Sequence, residues 1–236
     1  MVFLAVLAIL YLSKKQSAQN IQSTNQISPQ ISVPVLPGNE TVKIDTQNAS
    51  QSIQENISKA ETSNQATLDS KFQDTKNQSL PLEQFKTAMK IEINPDVYSN
   101  LSQTDYSVFT CNQKTEDITG LGFIAHFKSG KTAAYYADLY KKMDQNLANW
   151  EGTIFSDLEP LLFSGKKISQ KPAFKSAKYT TENGIAEIDV RYANVKSVDG
   201  MDLSIDYAVY AEDVYIFNNP QCLRKTLDKY EPVAEP

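Results

Sequence analysis

FKSAKYTTENGIAEIDVRYANVKSVDGMDLSIDYAVYAEDVYIF, residues 174–217, is the stretch whose reading decides the fold. Its first two runs, Phe174–Thr180 and Ile185–Val195, flank Asn183-Gly184. That dipeptide between two β-prone runs signals a type I′ hairpin turn, because both residues tolerate positive φ. Leu203–Tyr210 then alternates, with Leu203, Ile205, Tyr207 and Val209 on one side. Val214–Phe217 is a short fourth strand after an Ala211-Glu212-Asp213 turn. Consecutive strands joined so tightly favour antiparallel pairing, since parallel neighbours need long crossovers.

Working outward, Tyr106–Cys111 mixes polar and apolar residues as a half-buried strand does, and Gly120–Lys128 follows with Leu121, Phe123, Ala125 and Phe127 on one face. Thr132–Trp150 reads as a helix: Tyr136, Leu139, Tyr140, Met143, Leu147 and Trp150 form one stripe at helical spacing. A shorter helical piece is expected at Ser156–Phe163, with Ser156 as N-cap. At the other end Asn219 is placed as an N-cap, with Pro220 at the first helical position. Leu223, Leu227 and Tyr230 are the inner face of that closing helix. The order is β-β-α-(α)-β-β-β-β-α, an α+β domain expected over 84–231: a mainly antiparallel sheet with helices on one face, and a tail at 232–236.

The N-terminal part has a different texture. Val2–Leu12 is apolar throughout, but its helix would be only about 17 Å long against a hydrocarbon core of about 30 Å. We read residues 1–13 as a transmembrane anchor whose beginning is missing. A signal peptide and a buried core helix are the alternatives; nothing basic precedes the run, and no good cleavage site follows it. Residues 14–83 are rich in Gln, Asn, Ser and Thr, with scattered apolar positions, and read as a disordered linker. Its span would reach roughly 45 Å. Within it, 51–76 has some helical tendency but keeps no heptad. Lys14 and Lys15 after the run would place the head in the cytoplasm, but charges ahead of a truncated anchor are missing from that count. The spacer composition favours a head outside the cytoplasm.

Composition narrows the chemistry. A net charge of -5 with no long basic run argues against a nucleic-acid partner. The single histidine, His126, excludes multi-histidine metal or catalytic sites within one chain, and two cysteines outside any CxxC leave too few soft ligands for structural zinc. Cys111 and Cys222 either form a disulfide tying the two ends of the head together or remain separate buried thiols. Ala125-His-Phe-Lys-Ser-Gly130-Lys131-Thr132 fits a relaxed phosphate loop, in which Lys131 would contact phosphates and Thr132 a magnesium ion. His126 and Phe127 stand where such a loop needs small residues, so an ordinary strand-to-helix turn is the expectation. Asp189, Asp199, Asp202, Asp206, Glu212 and Asp213 are read as solvated hairpin charges, with Asp189 and Asp206 facing outward near Arg191. Asp199-Gly200-Met201-Asp202 lacks the ligand order of a calcium loop. Tyr210, Tyr215 and Phe217 form an aromatic interaction patch if they face out, and core if helices cover that side.

The run Arg191-Tyr192-Ala193-Asn194, then Leu203-Ser204-Ile205-Asp206-Tyr207-Ala208, then Val214-Tyr215-Ile216, is similar to the end of uncharacterised single-anchor envelope proteins of small-genome bacteria. The resemblance implies an anchor, a polar spacer and one α+β head, and carries no activity or site. The expectation is a membrane-tethered, non-enzymatic envelope protein without catalytic, cofactor-binding or metal residues, whose head binds a protein or a surface polymer. A scaffold component of a secretion or pilus assembly system is one alternative, and a nucleotide-dependent enzyme using Lys131 is another.

Overall fold

The computed structural model describes residues 39–43, 48–62, 67–113, 118–129, 133–182, 184 and 186–229, all within the unit Val33–Pro236. Strand β1 (Asn39–Lys43), helix α1 (Ala49–Thr62) and strand β2 (Thr67–Gln73) come first. Two short helices, α2 (Leu82–Met89) and α3 (Pro95–Tyr98), lead into the long pair β3 (Leu101–Gln113) and β4 (Ile118–Phe127). Helices α4 (Ala133–Trp150), α5 (Ile154–Asp157) and α6 (Glu159–Leu162) follow. Strands β5 (Lys175–Thr180), β6 (Glu187–Lys196), β7 (Asp202–Tyr210) and β8 (Asp213–Phe217) then precede the closing helix α7 (Pro220–Lys229). The strands form one eight-stranded sheet in the order β1-β2-β3-β4-β8-β7-β6-β5. β1 and β2 run parallel, and the other neighbours are antiparallel. The protein is thus α+β, with a mixed sheet.

Side chains alternate between the faces of a strand, and that alternation sorts the core into two clusters. Val108, Phe123, Ala125, Ala193, Ile205, Val214 and Ile216 point to one face. There they meet Ile53 of α1, Phe85 of α2, Val97 of α3, Met143, Leu147 and Trp150 of α4, Ile154 of α5 and Leu161 of α6. The expected stripe on α4 is the one that docks. Its end is fixed by Trp150, whose Nε1 donates to Asp157 Oδ2 over 2.7 Å. Phe109, Cys111, Ile124, Val190, Ala208, Tyr215 and Phe217 point to the other face, against Cys222, Leu223 and Leu227 of α7. Asn219 caps that helix as expected, its Oδ1 accepting from the backbone N–H groups of Gln221 (2.9 Å) and Cys222 (3.1 Å). Two glycines let α7 and its neighbours come close. A Cβ at Gly120 would overlap Cys222 Sγ, and one at Gly122 would overlap the Phe217 ring.

Three expectations are corrected. Helices do not lie on one face only, because α7 covers the second. The linker drawn over 14–83 is too long: residues 39–43, 49–62 and 67–73 supply β1, α1 and β2, and α2 begins at Leu82. Apolar residues are sparse there, but Val42, Ile53, Ile57, Phe72 and Leu80 fall at core-facing positions and are buried. Two residues a helical turn apart and one per short strand suffice, because the backbone ladder supplies the rest. Ser156 is not an N-cap. It lies inside α5, and its hydroxyl donates back to Thr153 O over 2.7 Å. The anchor at 1–13, the linker over 14–38 and the tail at 232–236 lie outside the described residues. No helix among the described residues is long and apolar enough to cross a membrane.

Candidate functional site

Helix α7 packs over β4, β7 and β8 and leaves part of the same face, on β5 to β7, uncovered. There a groove of about 290 Å³ opens between sheet and helix. Ala177, Tyr179 and Val190 form one end, and Pro220, Leu223 and Arg224 of α7 form the helical wall. Tyr192, Asn194 and Asp206 contribute the polar floor, with Tyr192 directly opposite Asp206 across the β6–β7 ladder. Strand alternation puts these three in line with Val190, so the chemistry of this face changes from apolar to polar along β6.

Asp206 is 4% exposed. Ser204 Oγ donates to its Oδ2, while its Oδ1 accepts no hydrogen bond among the described residues. Burial pushes this carboxyl up to about 6, against the Ser204 hydrogen bond and the positive charge of Arg224, which favour ionisation. Arg224 makes no hydrogen bond among the described residues; its guanidinium carbon sits 5.7 Å from the Tyr179 ring centroid. Tyr179 is itself held, its hydroxyl donating to the Asp228 carboxylate (2.6 Å to Oδ2). The backbone N–H of Glu182 reaches Asp228 Oδ1 over 2.9 Å. These bonds tie the end of edge strand β5 to α7. The Tyr192 ring and hydroxyl and the Asn194 amide have no side-chain partners among the described residues.

The same face carries a second polar group on the far side of the row Val190–Ala208–Tyr215–Ile124. His126 Nδ1 donates to Asp213 Oδ1 over 2.9 Å, and Glu212 Oε2 lies 3.6 Å from Nε2. The Asp213 hydrogen bond raises the imidazole above its ordinary value, and burial only partly offsets it. Ala211 and Glu212, which join β7 to β8, both adopt left-handed φ (49° and 69°). For side chains other than glycine that costs about 1 kcal/mol or more each. Farther along, Asp69 is buried with Oδ1 unpaired among the described residues; burial raises its carboxyl despite a hydrogen bond from Ser107.

The structure joins Cys111 on β3 to Cys222 on α7 in a disulfide, with Cα atoms 5.9 Å apart. It corrects the aromatic patch. Tyr215 and Phe217 are fully buried beneath α7 and Tyr210 is half-buried beside them, because the closing helix lies on this face. Of the acidic group, Asp199 pairs with Lys166 and Asp202 with Lys196, each at 2.6 Å, and Asp189 pairs with Lys178 at 2.8 Å. Asp206 does not face outward near Arg191, as expected from sequence. Arg191 points to the opposite face, where its Nε donates to Glu151 over 2.9 Å. In the phosphate-loop match, Phe123, Ala125 and Phe127 continue β4 as buried strand residues, and β4 is antiparallel to both neighbours. Lys131 and Thr132 lie outside the described residues.

The sequence reading missed the groove. Its signal was the change along one face from Ile188 and Val190 to Tyr192 and Asn194, and from Ala208 to Asp206 and Ser204. Two larger hollows sit among the helices. One, beside Met89 and Pro160, has Glu159 as its one lining charge. In the other, beside Tyr98 and Trp150, Lys86 already pairs with Glu83 and Glu92. No three His, Cys, Asp or Glu side chains among the described residues gather as a metal site. Compared with protein-family models, curated proteins and solved structures, the chain finds no match.

Proposed function

We propose that this chain is a membrane-tethered, non-enzymatic envelope protein whose head, outside the cytoplasm, binds its partner through the groove between α7 and β5–β7. The observation that carries the reading is the buried Asp206 carboxylate, half unpaired and open to a groove that also presents Arg224, Asn194 and Tyr192. Drawing a carboxylate out of water is costly to a fold, and burial does so to Asp206. Such costs persist where a site needs the group, in the usual trade of stability against function. The Cys111–Cys222 bridge supports the location, since disulfides last in oxidising compartments. The full chain, kept in mild detergent, mixed with the detergent-washed, lipid-free cell-envelope fraction of its source and sedimented, is expected to pellet. The Arg224→Gln and Tyr192→Ser variants should remain in the supernatant. Equal pelleting of all three proteins would overturn the reading, as would micromolar binding of ATP and Mg²⁺ that Lys131→Ala abolishes.

A further inference from the structure

We infer that the groove is a subsite for one neutral sugar ring of a polysaccharide. Asp206 accepts from a ring hydroxyl, Arg224 and Asn194 donate to neighbouring oxygens, and the C–H face of the ring lies against Tyr192. The inference rests on the binding-head reading and names its ligand class.

The groups around the groove exclude the other chemistries one by one. Lys178 also lines the groove but is held by Asp189 (2.8 Å) and Glu187 (3.4 Å), which leaves Arg224 and Asp206 to set its charge: an anionic ligand would be drawn to Arg224 but would sit against the Asp206 carboxylate. A cationic ligand would meet Asp206 but be opposed by Arg224. A purely apolar ligand would seal Asp206 Oδ1 from water without giving it a donor, which is worse than leaving the groove wet. A ligand that satisfies both charges is neutral and carries donors and acceptors side by side, as adjacent hydroxyls do. Hydrogen bonds from hydroxyls to a carboxylate, and from a guanidinium to hydroxyl oxygens, are charge-assisted and so among the stronger ones.

The apolar part of the groove fits the same ligand. Tyr192 presents a ring with no aromatic partner among the described residues, whereas one face of Tyr179 is taken by Arg224. A pyranose has one face lined with C–H bonds and a rim of hydroxyls, which matches a flat ring beside a polar floor. A peptide also carries donors and acceptors, but it reads a sheet by pairing along an open edge. This groove lies on the face of the sheet, under a helix, and at about 290 Å³ it is at the lower end of small-molecule sites. That suits one ring of a polymer rather than an extended segment.

The test titrates the full chain with neutral tetrasaccharides (maltotetraose, cellotetraose and N-acetylchitotetraose), with tetragalacturonate, with a chitosan tetramer and with a Ser/Thr/Ala octapeptide. Amide shifts of Tyr192, Asn194 and Arg224 are followed by NMR. At least one neutral sugar should shift them, and Asp206→Asn, Arg224→Gln and Tyr192→Ser should each weaken binding about 10-fold or more with circular dichroism unchanged. Neutral sugars that shift nothing, or that bind all three variants as well as the wild type, overturn the inference. Shifts at these residues from the peptide or the charged sugars alone also overturn it but leave the binding-head reading standing. Silence from every ligand, together with equal pelleting of wild type and variants on the envelope fraction, removes both.

Discussion

The two faces of the sheet are built from the same strands, yet they are finished differently. Toward α1–α6 most inward positions from β3 through β6 are apolar, so helices can seal that side into one continuous core, with Arg191 of β6 paired to Glu151 at its margin. Toward α7 the chemistry changes from row to row. The row Val190–Ala208–Tyr215–Ile124 is apolar and lies in the α7 core. On one side of it stand Tyr192, Asn194 and Asp206, and on the other His126 and Asp213. A helix packs over apolar rows and gains nothing over polar ones. The difference teaches that the first face is specified for stability, while the second gives up part of its packing to hold polar groups in fixed positions.

The largest expected break in this comparison comes from the disulfide. It closes a sequence separation of 111 residues, which the chain-entropy argument values at about 4–5 kcal/mol. Reduction, or Cys222→Ser, should lower the melting temperature by roughly 10–20 °C in calorimetry, and should loosen α7 before the first face. Hydrogen exchange that accelerates equally on both faces would show that the two are not separable.

Asp206 should act in the opposite direction. Its carboxyl is held near 6 in the folded protein, above its ordinary value, so the folded state retains a proton that the unfolded chain releases. Stability from this group therefore falls as pH rises from about 4 to 6. Asp206→Asn should stabilise the protein above pH 7, by up to about 3 kcal/mol, and change little below pH 4. A loss of stability at neutral pH, measured by denaturant titration, would refute the cost assigned to this carboxylate.

The smallest effect is expected at His126. Its imidazole is raised by Asp213, so the stabilisation is complete below the ordinary histidine value and fades as pH climbs through the raised one. With a fifth of the side chain exposed (22%), the pair contributes about 1 kcal/mol or less. His126→Asn should lower stability by about 1 kcal/mol or less below the ordinary histidine value, where the pair is intact, flatten the slope above it, and leave alkaline stability almost unchanged. An undiminished slope would assign it to another group.

Much of the head was legible from local signals. The stripe Leu139, Met143, Leu147 and Trp150, the alternation of Leu121 to Phe127, and the Asn219-Pro220 start each carry their own periodicity or cap, and each element formed where expected. The segments β1, α1 and β2 were not legible, because Val42, Phe72 and the lone pair Ile53 and Ile57 are too few to show a period, and their value appears only when neighbouring elements supply the other half of the contact. The groove was hidden for a related reason. Tyr192 and Asp206 are 14 positions apart in sequence and become opposite partners through the β6–β7 register, while Arg224 arrives from a helix on the other side of β8.

The sequence by itself determined the succession of antiparallel strands, the long helix, the closing helix and the α+β class, because period and capping act over a few residues. The β5–β6 turn is longer than the two-residue one expected at Asn183-Gly184, since Thr181 N–H still bonds Ala186 O and Gly184 N–H bonds Thr181 O. Only the tertiary structure decided that the closing helix takes the second face, bonds Cys222 to Cys111 and buries Tyr215 and Phe217 while leaving Asp206 at the floor of a groove. Which face a helix covers depends on the summed contacts of residues far apart in the chain, and no local pattern contains that sum.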